Sequence, residues 1–290
     1  FLPLFILMNY RKNHLSNTML IKLINAYWRG FVGGPDFTRD ISHRFILEDK
    51  QLTMNVPDSN VVAATSPVDV SFSHSSIDWF TEHAKKYHQH CYVHMMTENW
   101  MYMPPIALLP SSEYGMLSCQ LRIKQVSHFN VLDKAALSRY VTKAYYDYHN
   151  GPEGENTKIR TRVEERLKKS PFTWSQDEVE AEIAMVIDLH GNQPLAPAII
   201  KSFNQTDWVF YSEVRNNSHY HKDFYCLPLS EHSFLEVKFN HRVDRSDKYK
   251  KWKKDALAAQ ERIIASVYLD ELPQALSIEH SAVLESKIHN

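Results

Sequence analysis

Residues 227–243 read LPLSEHSFLEVKFNHRV, and from Leu235 onward the apolar side chains fall on alternate positions, Leu235, Val237, Phe239 and Val243. Glu236, Lys238, Asn240 and Arg242 lie between them. A period of two describes a strand with one face buried and one face wet. Far upstream, residues 109–124, LPSSEYGMLSCQLRIK, keep the same register, with Leu117, Cys119, Leu121 and Ile123 inward and Ser118, Gln120, Arg122 and Lys124 outward. Both stretches open on Leu-Pro and carry Ser-Glu (Ser112-Glu113, Ser230-Glu231). Both place a leucine four residues after that glutamate (Leu117, Leu235), and a helical pattern follows each. Such self-similarity points to an internal duplication of a sheet-plus-helix unit.

The expected fold class is therefore α+β, built from two similar antiparallel sheet-plus-helix units. Strands arrive in hairpin-like runs and not in βαβ alternation, which disfavours a doubly wound sheet. Residues 149–158, HNGPEGENTK, join two glycines, a proline and two acids with almost nothing apolar, and read as a linker near the midpoint. The division that follows is an apolar and basic extension at 1–18, a first unit at 19–150, a linker at 151–158, a second unit at 159–272 and a tail at 273–290.

Within the first unit the pattern predicts a helix over 19–28, a hairpin over 44–56 turning at Glu48-Asp49-Lys50, and a strand at 68–72. A helix over 75–88 follows, capped by Ser75 or Ser76, with Ile77, Phe80 and Ala84 on its buried side. Strands at 91–96 and 100–103 precede the first repeated strand, and 133–149 is helical on a stripe of Leu137, Tyr140, Val141, Ala144, Tyr145 and Tyr148. In the second unit, helices at 159–169 and 174–189 lead to a helical turn at 198–203; Ser175 and Glu178 form a capping box on the second of them. Strands at 208–214 and 224–227 enclose a hairpin tip at Asn216-Asn217-Ser218. The longest helix is expected over 246–269, with Tyr249 and Trp252 entering the core and the lysines of KYKKWKK in water.

Composition removes several functions. Lys plus Arg is 33 and Asp plus Glu is 34, so no global field draws nucleic acid, and no nucleic-acid partner is expected. Glycine numbers only seven, which lowers the prior for phosphate-cradling and dinucleotide folds. Three widely spaced cysteines, Cys91, Cys119 and Cys226, do not make a disulfide framework and read as core thiols. Residues 1–8, FLPLFILM, followed by Arg11 and Lys12, are too short to span a bilayer, which needs about twenty residues. They offer a membrane contact through residues 1–12, so a membrane-peripheral placement stands beside the expected cytoplasmic one.

Chemistry is sparse. H-E-x-x-H, C-x-x-C and G-x-S-x-G do not occur. Two H-x-H pairs, His88/His90 and His219/His221, put two imidazoles on one side of a strand, and with Asp223 the second pair has the residue types of a zinc-like site. The function expected first is a non-enzymatic protein-interaction module of the inhibitor, immunity or secretion-accessory type, without a cofactor. It would bind a protein partner through the aromatic hairpin of Trp208, Tyr211, Tyr220 and Tyr225, since aromatic side chains anchor interfaces. A metal-dependent, hydrolase-like enzyme on His219 and His221 is the alternative, and a peripheral lipid-binding module using the lysines at 248–254 is the second. No signature residue attaches a family name.

Overall fold

The structure, a computed structural model, describes residues 24–61, 71–87, 90–105, 113–127, 129–214, 221–242 and 250–272, with the side chains of 86, 87 and 90 left out. It is α+β: helices lie against antiparallel sheets. The two stretches that set the sequence pattern are β6 (Gly115–Gln125) and β10 (Ser233–His241), and they pair with each other, antiparallel, at the centre of the large sheet. Leu235 sits opposite Ile123, Val237 opposite Leu121 and Phe239 opposite Cys119, so the two apolar rows share one face.

Around that pair the order is β1 (Val32–Gly33), β5 (His90–Met103), β6, β10, β9 (His221–Pro228), β8 (Thr206–Val214) and β7 (Ile199–Phe203), with β4 (Lys85–Tyr87) on β5. A second sheet holds β2 (Asp40–Leu47), β3 (Lys50–Pro57) and β11 (Tyr268–Glu271). Strands on both sides of residues 151–158 thus belong to one sheet.

The helices are α1 (Ile77–His83), α2 (Lys134–Asn150), α3 (Glu155–Lys168), α4 (Gln176–His190) and α5 (Lys251–Ala265). α5 lays Trp252, Ala256, Ala259, Ile263 and Ile264 on the apolar face made by Leu117, Leu121, Val237 and Phe239, and the small sheet closes that core with Leu47, Leu52, Met54 and Val56. α2 packs on the opposite face, where Leu137 and Val141 meet Val209, Phe224, Cys226 and Phe234. Adjacent antiparallel strands are exchanged by a two-fold axis normal to the sheet, and such an axis would put both helices on one face. A copied unit is not confirmed by this arrangement.

Local signals behave as their chemistry dictates. Asp133 caps α2 by accepting from the backbone of Ala135 and Ala136, and Ser175 and Glu178 complete the capping box of α4. Ser76 caps α1, but that helix stops at Ala84 and Lys85–Tyr87 become a strand, leaving Ile77 exposed. Strands 91–96 and 100–103 are one strand with an irregularity between His94 and Met96. Residues 198–203, expected to be helical, are strand β7: Asn204 and Gln205 adopt positive φ of 46° and 64°, the left-handed pair that a tight hairpin turn requires. α5 ends at Ala265, because the chain turns at Ser266 and residues 268–271 pair with β3. The expectations for 19–23, 68–70, 216–218 and 246–249 lie outside the described residues.

One glycine is required where β1 meets β5. Gly33 has φ of 82°, and a Cβ there would sit 2.2 Å from the carbonyl oxygen of Met101. Gly33→Ala is expected to lower stability by roughly 1–3 kcal/mol through backbone strain and displacement of β1, read as a lower urea midpoint at unchanged m.

Candidate functional site: a cationic chamber between the central sheet and α2

α2 covers β8 and β9 and reaches β10 at Phe234, near that strand's start, so outward residues farther along the central pair look into open space. The resulting chamber has a volume of about 760 Å³, within the range of small-molecule sites. Its floor carries Arg122, Lys124, Lys222 and Lys238, and its wall on α2 carries Tyr140, Tyr145 and Tyr148, with Tyr211 and Phe224 at the closed side.

Charge on the floor is unevenly matched. Glu236, fully buried, is held by Arg122 at 2.5 Å and Lys124 at 2.8 Å, and accepts weakly from the Tyr211 hydroxyl at 3.4 Å. Burial alone would raise its pKa; the two cations outweigh burial and hold it at about 2. Lys222 pairs with Glu213 at 2.7 Å. Lys238 stands opposite Gln120 on one side and Phe224 on the other, and its ammonium has no hydrogen-bond or ion-pair partner among the described residues. Burial, and then the charges of Arg122 and Lys222, push its pKa down to about 8. Arg122 stacks over Tyr92 at 4.7 Å, and its Nε is buried with no hydrogen-bond partner. The chamber therefore offers a spare ammonium, next to two cations that share one carboxylate and with aromatic walls beside them, which suits an anion on a ring-bearing or hydroxylated skeleton.

None of these cations was singled out from sequence, where alternate polar residues read as a wet face. The residues that were singled out sit elsewhere. Trp208 and Tyr225 are completely buried in the core under α5, and Tyr211 is stacked on Phe224 with ring centres 4.5 Å apart. The hairpin aromatics are core residues, not exposed anchors, because β8 and β9 are interior strands with both faces covered. Tyr220, His219 and His88, and the His90 side chain, lie outside the described residues. So do residues 1–12 and Lys248; of the following lysines, Lys253, on the sheet-facing side of α5, is buried and not in water.

His221 and Asp223 do converge with a third residue, His241, which faces His221 across the β9–β10 ladder. Ligand-type atoms of the three lie within 4.8 Å of one another. Each of the three already has protein partners that a metal would have to displace. Lys253 Nζ lies 3.2 Å from His221 Nδ1. His241 Nε2 faces Gln260 Oε1 at 2.6 Å while the Gln260 amide donates to Asp223 and to the Tyr225 hydroxyl. The rings are stacked at 4.1 Å with 10° between planes, and an ion between them would lie far from both lone-pair directions. Ser212 completes the network by donating to Asp223 at 2.6 Å. Burial would raise the Asp223 pKa, but His221 and Ser212 outweigh it and hold the carboxyl well below the usual range. The cluster is a polar network that fastens α5 to the sheet.

Cys119 and Cys226 are buried thiols and Cys91 is half-buried; all three are free. Among the described residues, no helix is long and apolar enough to cross a membrane. No protein-family model matches the chain, and no curated protein matches it. Among solved structures it is similar to the crystal structure of LpqN, involved in cell envelope biogenesis of Mycobacterium tuberculosis. The identity is 10%, the likeness covers 90% of this chain and 99% of that one, and the TM-score is 0.29. A likeness at that level carries no conclusion about this chain's function.

Proposed function

We propose that this protein is a binding module whose site is the chamber between the central sheet and α2, and that its ligand is a small anion. The observation that supports this reading is Lys238, a half-buried cation with no hydrogen-bond or ion-pair partner among the described residues, beside Arg122 and Lys124, which share one carboxylate. Removing a charge from water without pairing it is unfavourable, and an incoming carboxylate or phosphate would correct that. Of the other cations on the floor, Lys222 has Glu213, and Arg122 and Lys124 share Glu236.

Calorimetric titration with inorganic phosphate at low ionic strength tests the proposal. Binding is expected, weakening as salt is raised, and Lys238→Ala is expected to weaken it about tenfold or more, the loss of roughly 1.5–3 kcal/mol typical of a charged hydrogen bond. Absence of binding, or equal binding by Lys238→Ala, overturns it.

A second reading, a module with a protein partner, is favoured by one surface. The turn between α3 and α4 exposes Phe172 (74%) and Trp174 (38%) in place of the buried hairpin aromatics. On this reading Phe172→Ala with Trp174→Ala abolishes the complex while leaving phosphate binding unchanged; a complex that survives both substitutions removes the reading.

A further inference from the structure

Lys238 projects from the middle of the chamber floor, on the most central strand pair of the sheet, so its Cα is fixed on both sides by ladder hydrogen bonds. Arg122 is its diagonal neighbour on β6, on the same face and within reach of one small molecule. The groups that face Lys238 are the cations Arg122, Lys124 and Lys222, the carboxylates Glu236 and Glu213 that those cations neutralise, and, from α2 above, Asp147, His149 and the tyrosines. No carboxylate is left over on the floor to hold Lys238 as an ammonium. A site with a rigid, unpaired amine beside a separate anion-holding guanidinium is more than an electrostatic trap.

We infer that Lys238 is a nucleophilic amine that captures, as a reversible imine, the carbonyl carbon of a small aldehyde bearing a carboxylate or phosphate. The acid group of that aldehyde lies beside Arg122 and Lys124, two cations that have only Glu236 between them, and directs the carbonyl toward Nζ. In the step, the lone pair of the neutral amine adds to the carbonyl carbon and the C–O π electrons move to oxygen. One nitrogen proton passes to that oxygen, giving a carbinolamine. Loss of the hydroxyl as water, with the second nitrogen proton, leaves the C=N bond. Amine plus aldehyde give imine plus water, and water reverses the step; no oxidant or reductant takes part.

The chemistry needs the unprotonated amine. Burial and the neighbouring cations bring the Lys238 pKa to about 8, so that roughly a quarter of it is neutral at pH 7.5, against about one part in a thousand for an ordinary lysine.

This inference rests on the proposed anion site, and one experiment separates the two. The full chain is incubated with glyoxylate at pH 7.5, reduced with borohydride, and mapped by peptide mass spectrometry; phosphate binding is measured in parallel by calorimetry. The expected result is a carboxymethyl adduct on Lys238 forming at least tenfold faster than on exposed Lys143, slowed by phosphate, with acetaldehyde showing no such preference. Lys238→Met removes the fast adduct while the circular dichroism spectrum is unchanged. Phosphate binding with Lys238 labelled no faster than Lys143 overturns the imine and leaves the anion site standing. No phosphate binding and no selective labelling overturns both.

Discussion

Glu236→Ala is expected to destabilise the fold by roughly 3–5 kcal/mol, the penalty of leaving a buried cation without its counter-charge. Glu236 is fully buried and compensates both Arg122 and Lys124 on β6, so its removal strands a guanidinium that is itself nine-tenths buried. Glu236→Gln keeps the shape and one acceptor and is expected to fall between alanine and wild type. The Coulombic contribution is separable by a double-mutant cycle with Arg122→Met, where a coupling of about 2 kcal/mol or more is expected. Urea unfolding followed by far-ultraviolet circular dichroism reads all five proteins, the double variant included. The same pair sets a pH window: with a folded pKa of about 2 against an unfolded value near 4.3, its contribution is complete above about pH 4.5 and is lost as pH falls toward 2.

A second large effect belongs to the polar network under α5. Burial, and then the charges of His221 and Lys253, hold the His241 pKa down at about 3. The folded protein therefore binds fewer protons than the unfolded chain once pH drops below about 6.5, and stability is lost progressively from there toward pH 3. The loss from this residue is on the order of 3–5 kcal/mol over that window. His43, His74 and His94 are shifted in the same direction, chiefly by burial, and steepen it. Asp223, also held low, extends the loss to more acid pH. Glu98 works in the opposite sense: burial, with help from Asp58, raises it to about 7, so its contribution is fully present below pH 4.5 and disappears as pH rises through 7. His241→Gln is expected to reduce the slope of unfolding free energy against pH between 6.5 and 4.5 by up to one proton, about 1.4 kcal/mol per pH unit. An unchanged slope would mean that His241 is protonated in the folded state.

Much of the framework could be read from residue order. The alternation at 117–123 and 235–239 marks the two central strands, the hairpin over 44–56 is β2 and β3, the apolar stripe over 133–149 is α2, and the capping box at Ser175 marks the start of α4. The failures have physical reasons. Residues 199–203 read as helical because Asn204-Gln205 lacks the glycine that usually advertises a tight turn, although both residues adopt positive φ. Likeness between 109–124 and 227–243 points to copies; in space the two stretches pair with each other, and the pairing does not confirm a copied unit.

The site was less legible. Period two tells which residues share a face but not what covers it, so Glu236 and Lys238 read as equally wet; Glu236 is enclosed by Arg122, Lys124 and Tyr211, and Lys238 lines the chamber. His241 was overlooked beside His221, although counting outward from the β9–β10 turn, with Leu227 opposite Leu235, puts the two histidines face to face. Trp208 and Tyr225 were taken for surface anchors because aromatic composition alone cannot distinguish an interior strand from an edge.

Titration of the lysine side-chain nitrogens by NMR, in uniformly ¹⁵N-labelled protein with and without saturating phosphate, tests the cationic chamber most directly. One resonance, absent in Lys238→Met, is predicted to titrate near pH 8, below the other lysines, and to move to higher pH when phosphate is added. Lysines that all titrate together at their ordinary value, with none moved by phosphate, would contradict the account.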